Sequence, residues 1–379
     1  MRIVHVSDCY LPRLGGIEIH LRDLVQHQRA EGHDPHVITT TPAASDVVDE
    51  PWVHRVHATT GPLGGLVRAD ADLRRLLEDL APDVVHVHVS VLSPFASTAA
   101  RRASWLGFAT LVTVHSMWSR LGPLPATAHA LLRLGSWPLA WSAVSEPAAA
   151  PLRRMLGPGT PVHVLPNAVD PASWRPGRVP VAPAVPTVVS VMRMTRTKRT
   201  LPLARILLDV RRRVPAEVPL RAVVVGDGPQ RPALERLLRR HRMDDWVELP
   251  GRLDRTEIGR VLADASVFVA PAELESFGIA ALEARTAGLP VVASSLSGVT
   301  EFVQHEREGL LGATDGMLAT HIARLLTDVS LRERIAQHNA TVPPRHDWVE
   351  ARRRTHELYA EATATARTPV RGLPRVSAA

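Results

Sequence analysis

Lysine is nearly absent: of the 45 basic residues in a chain of 379, Lys198 alone is a lysine and the rest are arginine. Cysteine occurs once, as Cys9, so no disulfide can form within the chain and a reducing compartment is the natural setting. Aromatic residues make up only 4%. No basic run is interleaved with them as a nucleic-acid-binding strand requires, which sets nucleic acid aside as a partner. No apolar run reaches the roughly 20 clean residues of a membrane span; the longest, 126–144, is broken by Arg133, Gly135 and Pro138. The opening MRIVHVSDCY lacks the charged-then-apolar build of a secretory leader, so retention in the cytoplasm is expected. The dinucleotide fingerprint G-x-G-x-x-G is missing as well.

Bulk and positive charge are there instead. With 45% hydrophobic residues the chain can fill two cores, and single cores usually divide beyond about 250–300 residues. A net charge of +7 suits a phosphorylated substrate or an anionic membrane surface. The runs Arg101-Arg102, Arg211 to Arg213, Arg239 to Arg242 and Arg352 to Arg354 read equally as solvated helix faces. Trp118, Trp137 and Trp141, in or beside the 126–144 stretch, are either ordinary packing or an aromatic surface able to rest on lipid headgroups.

Strand-like and helix-like stretches alternate through both halves. A first strand over 3–7 leads through a loop to a helix with Ile17, Leu21, Leu24 and Val25 at helical spacing. Gly15 and Gly16, just before that helix, either let backbone amides approach a phosphate or make a plain tight turn. DVVHVHVS over 83–90 is a buried strand that puts His86 and His88 on one side, as metal ligands or as hydrogen-bonded core residues, with no third ligand evident. TLVTVH over 110–115 is a strand with His115 at its carboxyl end, where open α/β sheets collect ligands. SAVSE, 142–146, is expected to open a helix reaching Arg154. Five prolines within 171–186 read as a hinge linker. The strand 187–191 exits into MRMTRTKR, which holds Arg193 and Lys198 in one loop, two cations able to hold a diphosphate. Gly226 begins a tight turn, GDGP, after the next strand, 221–225.

The densest chemistry lies in 267–294, VFVAPAELESFGIAALEARTAGLPVVAS: a short apolar strand, an acidic loop, a helix over 278–287 stopped by Gly288 and Pro290, and a second strand. Glu275 falls at the helix entrance and Glu283 about 7.5 Å further along the axis. Two glutamates at this spacing mean little by themselves. Between them the amides of Ser276, Phe277 and Gly278 open the helix, and such amides bind phosphate well.

That stretch resembles the E-x7-E signature of the retaining glycosyltransferases of family 4, P-S/A-x-x-E-S/G-F-G-x-x-x-x-E-A-x-x-x-G-x-P-V-V-A, with Pro271, Glu275, Ser276, Phe277, Gly278, Glu283, Ala284, Gly288, Pro290, Val291, Val292 and Ala293 in register. Y-L-P-R-L-G-G-I-E is similar to the family's first loop, P-x-x-G-G-x-E; MRMTRTK resembles G-R-L-x-x-x-K with Met192 in place of glycine; N-A-V-D, 167–170, resembles N-G-V-D with Ala168 in place of glycine. Residues 297–301 and 308–311 resemble the family's G-G-x-x-E and N-G-x-L-V turns.

The resemblance implies the GT-B architecture, two doubly wound, Rossmann-like α/β domains facing across a cleft. The expected parts are an acceptor-side domain over 1–170, a proline-rich linker over 171–186, a nucleotide-sugar-binding domain over 187–343, a helix over 344–364 crossing back to the first domain, and a disordered tail over 365–379. It implies metal-independent, retaining transfer of a sugar of the mannose, GlcNAc or glucose class from a UDP- or GDP-sugar to an acceptor hydroxyl, with no resident cofactor. Glu275 would hold donor sugar hydroxyls, Glu283 the ribose, Arg193, Lys198 and the 276–278 amides the diphosphate, and His115 the sugar or its phosphate. Gly15, Gly16 and Gly226 would allow close backbone approach. The basic surface adds a phosphorylated or lipid-linked acceptor and peripheral contact with the inner face of a membrane. Two rivals stand beside this reading: a non-catalytic nucleotide-binding GT-B module, and a pyridoxal-phosphate phosphorylase. The latter needs a Schiff-base lysine, and the loop around Lys198 is wrong for one.

Overall fold

A computed structural model of the chain describes residues 1–13, 15–44, 49–56, 64–91, 93–118, 134–174 and 183–367. Two compact units emerge: Met1–Asn167 together with the stretch from Trp348 onward, and Ala168–Asp347.

The first unit is built on a parallel sheet of seven strands in the order β3-β2-β1-β4-β5-β6-β7. These are β1 (Arg2–Ser7), β2 (Asp34–Thr39), β3 (Val53–Arg55), β4 (Val84–Val89), β5 (Ala109–Val114), β6 (Ala140–Ala143) and β7 (Val162–Val164). Helices α1 (Gly16–Ala30), α2 (Gly64–Leu80), α3 (Pro94–Trp105), α4 (Glu146–Leu156) and the C-terminal α12 (Trp348–Arg367) belong to the same unit. Parallel strands covered on both faces need apolar side chains on both faces, and β4 and β5 are buried throughout. Alternation along the strands then sorts the two faces. Val4, Val6, Val85, Val87 and Val112 pack with Leu73, Leu77 and the alanines of α3, while Ile3, Val84 and Leu111 pack with Leu358, Tyr359 and Ala362 of α12.

The second unit repeats the plan with six parallel strands, β10-β9-β8-β11-β12-β13. They are β8 (Thr187–Val191), β9 (Arg221–Val225), β10 (Val247–Gly251), β11 (Val267–Ala270), β12 (Val291–Ser294) and β13 (Gly309–Gly312). Around them lie α5 (Pro171–Trp174), α6 (Thr200–Arg213), α7 (Arg231–Arg240), α8 (Arg255–Ala263), α9 (Ile279–Thr286), α10 (Asp315–Thr327) and α11 (Val329–Thr341). In each sheet the first strand sits inside, and the strand order reverses beside it, between β1 and β4 and between β8 and β11. Such switch points leave a crevice at the carboxyl ends of the strands.

Several expectations need correction. The helix expected from SAVSE starts only at the end of that stretch: 140–143 is strand β6, and α4 begins at Glu146 after Ser145, whose hydroxyl accepts from the Ala148 amide at 3.2 Å. Trp141 points into the core at 5% exposure, so it cannot belong to a lipid-facing surface. The proline-rich linker is not all irregular. Pro171 stands at the first position of the short helix α5, where its missing N–H costs nothing, and Trp174 is buried. Residues 175–182 lie outside the described residues. The last helix begins at Trp348 rather than 344 and runs through Arg367, past the expected start of the tail; 368–379 lie outside the described residues.

Candidate functional site

The exits of β8 and β11, neighbours across the switch point of the second unit, carry Lys198 and Glu275. The Lys198 ammonium donates to Glu275 Oε2. Lys198 is about a third exposed and Glu275 less, so the pair faces solvent from a partly shielded position. Arg193 is exposed on the same loop; among the described residues no ion pair holds its guanidinium.

The loops are fixed by backbone contacts that only glycine allows. Gly226 has φ +122° and Gly228 φ +154°; a Cβ on Gly226 would lie 2.0 Å from the Met192 carbonyl oxygen, and one on Gly228 2.5 Å from that of Met194. The GDGP turn is therefore pressed flat against the loop that leads to Lys198, with Met194 N donating to Asp227 O at 2.8 Å. Met192, where the resemblance expects glycine, fits because its N–H continues the sheet to Val225 O at 3.0 Å. Gly278, with φ +94°, caps α9, and Gly298 N donates to Glu275 O at 2.7 Å. A Cβ on Gly298 would meet Ser276 O at 2.0 Å. Phe277 anchors the same turn from below: it is 1% exposed and its ring lies 5.3 Å from that of Phe302. Glu283 sits in the second turn of α9, partly buried. Gly298→Ala is expected to push the Glu275 loop out of place, costing about 1–3 kcal/mol as overpacking does, and to impair donor use beyond the loss of stability. Thermal unfolding and donor KM measured together check it.

Arg199 was not anticipated. It is in the left-handed region at φ +58°, which costs a non-glycine residue energy. Its guanidinium reaches Pro271 O at 3.2 Å, Glu273 at 3.2 Å and Asp315 at 2.8 Å. The residue after Lys198 thereby ties the β8 exit to the loop carrying Glu275. Nothing in sequence spacing links Arg199 to Asp315, 116 positions away.

In the first unit, Gly15 caps α1 in extended backbone, φ −173°, as any residue could. A Cβ there would lie 2.5 Å from Glu18 Oε2, and Arg13 Nε holds the same carboxylate at 3.1 Å. The anion beside the start of α1 is the chain's own Glu18, so a phosphate would have to displace it. Gly16 is the first, exposed residue of the helix. His115 follows β5 and its N–H donates to Val89 O at 2.8 Å. Its ring lies 6.1 Å from that of His20 on α1. Burial, together with the nearby His20, pushes the His115 imidazole down to about 3, so it is neutral at physiological pH. A small cavity of about 10 Å³, room for one water, is bordered by His20, His88, His115 and Trp348. His20 Nδ1 has no hydrogen-bond partner among the described residues.

His86 and His88 do acquire a third histidine, His5, the partner of His86 in the β1–β4 register. All six ring nitrogens are already engaged, however: His5 with His88 and Gln28, His86 with Tyr359 and Thr113, His88 with His5 and His115. A cation there would have to break these bonds. The core reading of the H-x-H pair is the one the contacts support.

Comparison with known proteins bears on both units. The family described as Glycosyltransferase Family 4 matches residues 14–173 and that described as Glycosyl transferases group 1 matches 185–328, together most of the chain. The GDP-mannose-dependent alpha-(1-6)-phosphatidylinositol monomannoside mannosyltransferase of Mycobacterium tuberculosis is 29% identical, over 95% of this chain and 96% of its own length. The gpi3 subunit of the phosphatidylinositol N-acetylglucosaminyltransferase of Schizosaccharomyces pombe is 25% identical over 93% of this chain and 79% of its own. Among solved structures, Anabaena HepE in complex with UDP and glucose superposes with TM-score 0.76 at 18% identity, covering 95% of this chain and 99% of HepE. Sucrose-phosphate synthase from Thermosynechococcus elongatus superposes with TM-score 0.74 at 21% identity, over 96% and 99%. Two parallel-sheet α/β units with these neighbours make the fold GT-B.

Proposed function

The chain belongs to the family 4 glycosyltransferases, and on that premise we propose that it moves a hexosyl or N-acetylhexosaminyl group from a nucleoside diphosphate to an acceptor hydroxyl, with retention and without a metal. The carrying observation is the Lys198–Glu275 pair at the second switch point, flanked by the start of α9. As the bond from the anomeric carbon to the diphosphate breaks, negative charge grows on the leaving phosphate. Lys198 and the amides at the head of α9 are a cation and dipoles fixed in advance to receive it, and Arg193, exposed on the same loop, adds a second cation. Glu275, freed from Lys198 by the phosphate, accepts hydrogen bonds from sugar hydroxyls. Glu283 serves the ribose. The acceptor oxygen attacks on the departing side and its proton passes to the leaving phosphate, which keeps the anomeric configuration.

The acceptor we propose is a phosphorylated, lipid-linked alcohol. Relatives named for phosphatidylinositol acceptors support it, as does the net charge of +7. No described helix is long and apolar enough to cross a membrane, so contact with lipid would be peripheral.

A thermal-shift screen across UDP-, GDP- and ADP-sugars is expected to show one base stabilising the protein by several degrees. NMR of the product formed on anionic lipid vesicles should then show the α-anomer, in the presence of EDTA. No shift with any donor, or an inverted anomer, would sink the proposal.

A further inference from the structure

Where the first unit closes on its own last helix, three side chains of metal-ligand type converge. Helix α1 ends at Ala30, and Glu31 caps it with an N–H shared among carbonyls of the last turn. Gly32, at φ +80°, reverses the chain. His33 N then donates back to Gln28 O at 3.0 Å, and the His33 ring comes up beside the Glu31 carboxylate. From α12 come Arg352 and His356, four positions apart and therefore on one face of the helix. The Arg352 guanidinium pairs with Glu31 Oε1 at 3.0 Å. The other oxygen, Oε2, lies 4.0 Å from His33 Nε2 and 3.8 Å from His356 Nε2. The two Nε2 atoms are 3.2 Å apart, and their rings are nearly perpendicular at 83°.

We propose that Glu31, His33 and His356 form a binding site for one divalent transition-metal ion of the zinc class, which clasps α12 to the end of α1. Zinc bonds to nitrogen at about 2.0–2.1 Å, so a tetrahedral angle sets neighbouring donor atoms about 3.3 Å apart. The two imidazole nitrogens already meet that spacing, and the carboxylate oxygen has about half an ångström to travel. One ring donating to the other would give the 3.2 Å contact by itself; the third donor atom is what turns a pair into a site. In the buried trio of His5, His86 and His88 every ring nitrogen is spent on a protein partner. Here the Nε2 atoms meet each other and Arg352 takes only Oε1, so three donor atoms are left for a cation. All three side chains are partly exposed, which opens a fourth position to water. Two imidazoles and one carboxylate suit zinc, whereas calcium and magnesium take oxygen ligands. With the ion bound, both rings carry their proton on Nδ1, which for His33 faces the Met1 amino nitrogen at 3.4 Å, an acceptor in its neutral form. His33 and His356 stand 323 positions apart, so the ion would join the two ends of the unit's sequence.

The test needs no sugar donor and so stands apart from the transferase reading. The full chain, stripped with EDTA and dialysed, is titrated with zinc chloride by calorimetry and with cobalt(II), whose strong visible bands report tetrahedral coordination. One tightly bound ion per chain is expected, with those bands present, and excess zinc should raise the unfolding temperature by several degrees because it binds the folded chain alone. His33→Ala and His356→Ala should each weaken zinc at least about 10–100-fold, the loss that even outer partners of a metal site cause, and abolish both the cobalt bands and the zinc-dependent rise. Glu31→Gln should weaken zinc about 10-fold or more. His54→Gln, at the other imidazole pair of the same sheet, where His36 Nδ1 and His54 Nε2 lie 3.0 Å apart, should leave zinc binding unchanged. Should His33→Ala fail to fold, His356→Ala decides, since His356 is a partly exposed helix residue whose loss leaves the core intact. An unaltered chain that binds no ion, or zinc affinity undiminished in His356→Ala, overturns the proposal.

Discussion

Glu275→Ala should abolish measurable sugar transfer, a loss of at least about 10³-fold in kcat, yet leave nucleotide diphosphate binding intact or slightly tighter. Lys198→Ala should do the reverse for binding, raising the dissociation constant of the free nucleotide about 10- to 100-fold. The opposite signs follow from the contact between them. In the protein Glu275 competes with an incoming phosphate for the Lys198 ammonium, so removing the carboxylate frees the cation while deleting the group that holds the sugar. Removing the cation deletes a charge-assisted bond worth about 1.5–3 kcal/mol and leaves a carboxylate beside the diphosphate, which repels it. Lys198→Arg should recover part of the binding, since charge is kept but a planar fork replaces a compact point charge. Calorimetry of UDP or GDP binding, paired with steady-state kinetics, separates the two. Equal loss of nucleotide affinity in Glu275→Ala and Lys198→Ala would contradict these roles.

Much of this site was legible before the fold was known, and for local reasons. The apolar runs of β8 and β11 are short and bounded, glycines mark the turns at 226, 278 and 298, and the residues that follow a buried strand in an alternating α/β pattern fall at the sheet's carboxyl edge. Placing Lys198 and Glu275 at that edge needed only that much; giving them roles needed the family resemblance as well. Long-range partners left no such trace. Arg199 reaches Asp315 through a guanidinium whose target depends on how α6 and α10 pack, and no period in the chain encodes it. His5 gave no hint of joining the histidines of β4, because its two partners stand 83 and 23 positions away. Strand β6 was masked by SAVSE, which carries the serine and glutamate of a helix start; the cap is real, but it belongs to the turn after the strand. Trp141 shows the same limit from the other side. A tryptophan near an apolar stretch reads as surface or core alike, and only the pairing of β6 with β5 puts it inside.

The same buried histidines should make the first unit sensitive to mild acid. Burial lowers His5 from 6.5 to about 4 and His115 to about 3, and holds His86 and His88 well below their ordinary value. Above pH 6.5 neither the folded nor the unfolded chain protonates them, so they leave stability unchanged. Below it the unfolded chain takes up protons that the folded chain refuses. Stability therefore falls as pH drops from 6.5 towards 4, by about 1.4 kcal/mol per pH unit for each imidazole. At pH 5 that is about 2 kcal/mol each for His5 and His115, and His86 and His88 act in the same direction, against the about 5–15 kcal/mol that holds an ordinary domain together. Protonating one ring also breaks a hydrogen bond to the next, since an imidazolium has no lone pair to accept from its neighbour. The four should therefore titrate together as the unit opens. Amide exchange in β1 and β4 should accelerate by several orders of magnitude between pH 7 and pH 5 once corrected for intrinsic rates, while β8 and β11, which carry no histidine, change far less. His88→Gln, which removes the ring between His5 and His115, should flatten the dependence by about one proton. A first unit whose protection at pH 5 matches that at pH 7 would mean that these rings are solvated or charged in the folded protein, which contradicts their buried, neutral placement.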